Sequence, residues 1–187
     1  GLFAAQGFEV ELLRFTSGRD ALSALLGGQA DYAIMAELPG ASAAMAGSDF
    51  LVLGEISSLS GHQRIMTRKD TGITSFADLE GKNIGLLMGT SSHYELKLAL
   101  ESVGLTTDDV NMVSLAPPAQ PGALENGDAD ANVSFDSFYT KTKELLGDRY
   151  AEISSDPGYH LRFLFAAGAS VMDDDAMSQW VLQALLD

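Results

Sequence analysis

The sequence predicts an α/β protein of two related lobes, each a mostly parallel sheet flanked by helices. Three observations carry this. Strand-like and helix-like segments alternate at the spacing of βαβ units. One stretch in the first half of the chain recurs without a gap in the second half. Finally, 187 residues with 46% hydrophobic and 20% charged side chains can fill packed cores, whereas disordered chains are poorer in apolar residues.

The elements follow in order. Gly1–Gly7 opens in a helix-like pattern. Residues 8–15 alternate apolar and polar side chains as a half-buried strand does. Thr16-Ser17-Gly18 turns into a helix over residues 19–27, with Ala21, Leu22, Leu25 and Leu26 on one stripe, and Gly28 stops it. Asp31–Met35 reads as a strand, Glu37-Leu38-Pro39-Gly40 as a turn, residues 41–47 as a helix of small residues, and Phe50–Ile56 as a strand. Further on, the strand Lys82–Leu87 leads through a Met88–Ser92 loop into a helix over 93–103 that ends at Gly104. Val110–Leu115 is the next strand, Pro117–Pro121 a loop, and a short helix ends at Gly127 before the strand Asp130–Ser134. Asp173-Asp174-Asp175 precedes an apolar-periodic segment over 176–186, so these acids read as a helix start rather than a metal cluster.

The repeat aligns Ala24–Ile34 on Ala123–Val133 through the pattern Ala-Leu-x-x-Gly-x-Ala-Asp. A helix ends in Gly, one residue crosses, and a small Ala lets the chain enter a buried strand. The flanks agree, because Gly7 precedes residues 8–15 as Gly104 precedes 110–115. In the second copy a strand and loop stand before the helix that ends at Gly104; before Gly7 there is no such segment. The first lobe is therefore expected to lack its opening strand and most of its first helix.

Composition excludes several functions. Eleven Lys+Arg against 26 Asp+Glu give a net charge of −15, unsuited to nucleic acid or anionic lipid. The excess is spread along the chain, with two basic against seven acidic side chains over residues 1–60, eight against fifteen over 61–158 and one against four over 159–187. There are no cysteines, which removes disulfides, thiol catalysis and Cys-ligated zinc. No apolar run reaches the ~20 residues of a membrane span, so no direct insertion is expected. His62, His93 and His160 are scattered, without His-x-Glu or His-Glu-x-x-His spacing. No nucleophile elbow and no phosphate loop occur. No catalytic set, no metal site and no cofactor are expected.

The candidate binding residues lie in loops that follow strands, where open α/β sheets hold ligands. Gly89-Thr90-Ser91-Ser92-His93 brings hydroxyls and unpaired N–H groups to a helix start, a setting for a carboxylate, sulfonate or phosphate; the competing reading is a simple helix cap. Ser17 and Gly18 hold the matching position in the first lobe. Glu37 and Asp136 are acids in turn-like positions that suit an ammonium group, with Phe135 and Tyr139 beside Asp136 for a flat ring; solvated turns and core packing are the alternatives.

Phe3, Gly7-Phe8, Phe15-x-Ser17-Gly18-x-x-Ala21, Thr74–Gly85, Gly89-Thr90-Ser91 and Ala123–Ala131 together resemble the nitrate/sulfonate/taurine group of ABC-transporter solute-binding proteins, which extends to binders of thiamine-pyrimidine precursors. The order and spacing of these segments carry the resemblance, over residues 1–135. It implies a two-lobed type II periplasmic-binding-protein fold with lobe one at residues 1–60 plus 161–187 and lobe two at 61–160. Crossovers near 59–66 and 156–165 would act as hinges, and N- and C-terminal elements would be missing. It implies ligand contacts from Ser17, Gly18, Glu37, Gly89, Thr90 and Ser91. The implied function is an extracytoplasmic solute-binding protein that holds a small organic anion or zwitterion, or an aminopyrimidine, between its lobes for an ABC permease. A ligand-sensing domain of a signalling protein, or an enzyme on the same fold, are the alternatives.

Overall fold

The repeated segment folds into the same joint twice. Gln29 N–H bonds to Ala24 O at 2.8 Å, and at the aligned positions Asp128 N–H bonds to Ala123 O at 2.9 Å. The glycines between them, Gly28 and Gly127, have φ of +71° and +85°, the left-handed conformation that closes a helix and that glycine adopts without steric cost. The upstream pair agrees, with Phe8 N–H to Phe3 O at 3.0 Å and Leu105 N–H to Leu100 O at 2.9 Å.

The computed structural model describes residues 2–5, 7–60, 63–155 and 159–186, and only the backbone at 2, 5, 60, 63, 136, 155, 185 and 186. In chain order the elements are α1 (Leu2–Ala5), α2 (Gly18–Leu26), β1 (Tyr32–Ala36), α3 (Glu37–Met45), β2 (Leu51–Ser60), β3 (Gln63–Arg68), β4 (Asn83–Leu86), α4 (Ser91–Glu101) and β5 (Asn111–Ser114). There follow α5 (Gln120–Asn126), β6 (Ala131–Val133), α6 (Asp136–Leu146), β7 (Tyr150–Ser155), β8 (His160–Ala167) and α7 (Asp175–Leu186), with short 3-10 turns between. Contacts divide the chain into unit one, residues 1–58 with 162–187, and unit two, residues 59–161. The expected hinges include residues 61, 62 and 156–158, which lie outside the described residues, as does His62.

Unit one carries a three-stranded sheet in the order β1-β8-β2. β1 runs antiparallel to β8, from Tyr32 opposite Ala167 to Ala36 opposite Phe163. Leu22 and Leu25 from α2 pack on Ala33, Met35 and Ala166, and the Tyr32 and Phe165 rings stack at 5.4 Å. Asp174 caps α7, its Oδ1 accepting from Met177 N–H at 2.9 Å.

Two expectations for unit one need correction. Residues 8–15 form no strand: Leu12 is 72% exposed and Val10 53%. Alternation produces a strand only where a sheet edge receives it, and among the described residues none pairs with this segment. Glu37–Gly40 is no free turn but the first turn of α3, a place that tolerates Pro39 because the N–H it lacks has no intrahelical acceptor there.

Unit two holds a five-stranded sheet in the order β5-β4-β6-β3-β7. The expected parallel pairing occurs on both sides of β4, but β6–β3 and β3–β7 are antiparallel, so the sheet is mixed. No helical crossover precedes β3 or β8, and such a crossover is what imposes parallel direction. On one face α4 buries Leu96, Ala99 and Leu100 against Ile65, Ile84, Leu86 and Val133, about 1.5–3 kcal/mol for each large side chain. On the other, Met66 meets Leu124, Tyr139 and Leu146. A Cβ at Gly85 would stand 2.2 Å from Asn132 Oδ1 on the paired strand β6, so any side chain here must displace the buried Asn132 amide. The expected loop 117–121 is a 3-10 turn running into α5, and the expected loop at 135–139 is the start of α6.

Candidate functional site

In unit two β4 leaves the core through buried Leu87, and Gly89 turns the chain with φ +74°. Thr90 is extended, at φ −118° and ψ 175°, and opens α4 without a side-chain cap. Its hydroxyl points back and donates to Leu87 O at 2.7 Å. Thr90 O accepts from His93 N–H at 3.0 Å and Tyr94 N–H at 3.3 Å. The first-turn N–H groups of Ser91 and Ser92 thus stand at the positive end of the helix with no intrahelical acceptor. Ser91 and Ser92 are 2% and 1% exposed, and neither hydroxyl makes a hydrogen bond among the described residues. The simple-cap reading therefore does not describe α4. Its start offers two N–H and two O–H donors, the complement of an oxyanion.

His93 adjoins this start. Gly89 N–H approaches its Nδ1 at 3.5 Å. Glu95, not singled out by sequence reasoning, is only 6% exposed on the same helix. The signal was available: an acid on the stripe that also carries Ser92, Leu96 and Ala99 breaks the apolar pattern.

The corresponding joint in unit one is used differently. Ser17, at φ −148° and ψ 153°, caps α2 by accepting from Asp20 N–H at 3.2 Å. A Cβ at Gly18 would lie 3.0 Å from Met35 Cα and Ala36 N, so Gly18 serves the close approach of α2 to β1. Glu37 Oε2 accepts from Arg162 N–H at 2.8 Å and ties α3 to β8. Asp136 opens α6, but its side chain lies outside the described residues. Tyr139, expected beside it for ring stacking, is 8% exposed within a core cluster.

A separate cleft of about 260 Å³ in unit two is lined by Arg64, Tyr139, Lys143, Glu144, Tyr150 and Glu152. It excludes the α4 start and mixes both signs of charge. Burial pushes the Tyr139 and Tyr150 hydroxyl pKa values upward, and Tyr150 donates to Glu152 Oε2. No grouping of three or more His, Asp or Glu able to hold a metal occurs among the described residues. Among them, too, no helix is long and apolar enough to cross a membrane.

Known proteins share this architecture. The alkanesulfonate-binding protein SsuA from Xanthomonas axonopodis pv. citri, solved with MOPS bound, superposes with TM-score 0.77 at 23% identity, over 92% of this chain and 60% of that one. The periplasmic aliphatic sulphonate binding protein SsuA from Escherichia coli gives TM-score 0.73 at 26% identity, over 91% and 59%. These structural neighbours are periplasmic binding proteins. In sequence, an Escherichia coli (strain K12) protein provisionally named an aliphatic sulfonates-binding protein is 27% identical over 174 residues, 93% of this chain and 54% of its own length. The taurine-binding periplasmic protein of the same strain is 31% identical over 124 residues, 66% of this chain and 38% of its own length. The chain thus spans about half the length, or less, of these relatives. Residues 1–172 match the family model described as NMT1/THI5 like, and the chain belongs to that family.

Proposed function

We propose that this chain is part of an extracytoplasmic solute-binding protein that delivers a small organic anion, of the sulfonate class, to an ABC permease. The observation that carries the reading is the α4 start: an uncapped helix N-terminus with buried Ser91 and Ser92 whose hydroxyls make no hydrogen bond among the described residues. A sulfonate has three acceptor oxygens and no proton to give at neutral pH, which matches a set made only of donors. Gly89 and Thr90 shape the turn, and His93, Ser17, Gly18, Glu37 and Asp136 complete the candidate set. The named relatives that bind sulfonates and taurine support the same class. The reading needs no chemistry: the ligand leaves as it entered.

The test is calorimetric titration of the full-length protein with alkanesulfonates, taurine, nitrate and an aminopyrimidine, followed by mass analysis of the recovered ligand. A sulfonate is expected to bind and to be recovered unchanged. Replacing both Ser91 and Ser92 by Ala is expected to weaken it by about 30–150-fold, at roughly 1–1.5 kcal/mol per hydrogen bond. Unchanged affinity in that variant would overturn the assignment of the site; turnover of the ligand would establish an enzyme instead.

A further inference from the structure

We infer that the cleft of about 260 Å³ between α6 and the β3–β7 edge of unit two is a second binding site, apart from the α4 start, that takes a small aromatic carboxylate. Two strands and a helix build it from one face each. Arg64 and Met66 alternate on β3, and Tyr150 and Glu152 on β7, with Met66 opposite Glu152 in the antiparallel register. All four side chains therefore share one face of the sheet. Met66, Tyr139 and Tyr150 pack together there, which marks that face as the one under α6. Tyr139 and Lys143, four residues apart, share one side of the helix. β7 is the last strand of its sheet, so the cleft opens at a free edge.

The groups of the cleft do not satisfy one another. Tyr139 is 8% exposed, and its buried hydroxyl makes no hydrogen bond among the described residues, a costly state for a polar group. The exposed Arg64 guanidinium stands over the Tyr139 ring at 5.5 Å, and the Lys143 ammonium lies 5.9 Å from the Tyr150 ring. Neither cation forms an ion pair among the described residues. Tyr150 is already engaged, donating to Glu152. Two cations and one unused hydroxyl thus stand beside the acids Glu144 and Glu152. A dianion would be repelled by both acids, whereas a single carboxylate suits the planar fork of a guanidinium. Turning Arg64 from the ring to that carboxylate uncovers the Tyr139 ring for stacking and gives its hydroxyl an acceptor. The volume is below the ~300 Å³ at which drug-sized sites begin, which holds the ligand to one ring. The α4 start takes no part, so this inference and the sulfonate reading fail separately.

The full-length protein should be titrated calorimetrically with benzoate, benzamide and acetate. Benzoate is expected to bind, with benzamide, its uncharged isostere, and acetate, which lacks the ring, each at least about tenfold weaker. Tyr139→Phe keeps the ring and removes only the unpaired hydroxyl. It is expected to weaken benzoate by about tenfold while its melting temperature stays level or rises. Arg64→Gln, at an exposed position, is expected to weaken benzoate by at least as much, and the double variant Ser91→Ala/Ser92→Ala to bind it as the wild type does. No benzoate binding, equal affinity for benzamide or acetate, or full affinity in Tyr139→Phe or Arg64→Gln would overturn the inference. A lower melting temperature in Tyr139→Phe would show that the hydroxyl already has a partner, and would overturn it too. So would loss of benzoate in the double serine variant, which would move the carboxylate to the α4 start and leave the sulfonate reading standing.

Discussion

The unit-one sheet matches three of the five strands of the unit-two sheet, and its polar joint is put to another use. In unit two β6 is followed in the sheet by β3 and β7; in unit one β1 is followed by β8 and β2. The pairing β1–β8 is antiparallel, as β6–β3 is. The two remaining strands of unit two, β4 and β5, have no counterpart in the unit-one sheet among the described residues. Residues 8–15, which follow Gly7 as β5 follows Gly104, have among the described residues no neighbour in the place of β4, and Val10, Leu12 and Phe15 are exposed. The same alternation of side chains makes a strand where a partner exists and an unpaired segment where, among the described residues, none does. At the helix starts the contrast is chemical: Ser17 spends its hydroxyl on capping α2, while α4 keeps its serine hydroxyls free of internal bonds.

The comparison can be broken at the sheets first. Gly85→Ala would force a Cβ against Asn132 and is expected to cost about 3 kcal/mol. Gly54→Ala in β2, where nothing lies within 4 Å, should stay within about 0.5 kcal/mol. Urea denaturation of both variants measures the difference; equal losses would deny that Gly85 marks a crowded contact between β4 and β6.

The repeated joints give the next effect. Gly28→Ala and Gly127→Ala each place a side chain at positive φ and should each cost about 1–2 kcal/mol. Closely matched values would show that the joints are energetically as well as geometrically alike, and a loss at one alone would break the equivalence. Smaller still is the difference between helix starts. Ser17→Ala should cost about 1 kcal/mol through loss of its cap. Ser91→Ala and Ser92→Ala should each change stability by no more than about 0.5 kcal/mol, with their effect appearing in ligand affinity.

The last prediction concerns acid. Asp78 accepts from Thr74 N–H and Oγ1 and from Ser75 N–H and Oγ at 2.8–3.0 Å. These bonds, the Thr74 backbone N–H foremost, hold its carboxyl pKa down from 3.8 to about 2. A depressed carboxylate stabilises above its ordinary value, and that contribution is lost as pH falls from 3.8 toward 2. Asp78→Asn should flatten this part of the melting temperature against pH. A profile identical to wild type would show that the turn contributes nothing to acid stability.

Much of this was legible in the sequence, for reasons that differ by residue. Gly28 and Gly127 could be read because a left-handed helix end depends on the residue that occupies it, whatever surrounds it. The α/β class followed from spacing, and the donor-rich stretch Gly89–Ser92 from composition alone. The turn assigned to Glu37–Gly40 and the loop assigned to Phe135–Tyr139 were misread because Pro39 and Asp136 suit a helix start as well as a turn. Glu95 shows in the sequence as a break in the apolar stripe of α4, but that it is buried depends on the sheet beneath the helix.

By itself, then, the sequence determined the local events: where helices stop, which segments alternate, and where hydroxyls gather at a helix start. Backbone conformation and side-chain chemistry act over a few residues, so these can be read from a few residues. Only the tertiary structure decided that residues 8–15 stay unpaired, that β3 and β8 run antiparallel to their neighbours, that Ser17 is spent on capping, and that Ser91, Ser92 and Glu95 are buried together. Each of these depends on whether a partner from elsewhere in the chain stands within a few ångströms, and pairing and burial are non-local quantities that no short stretch of sequence encodes.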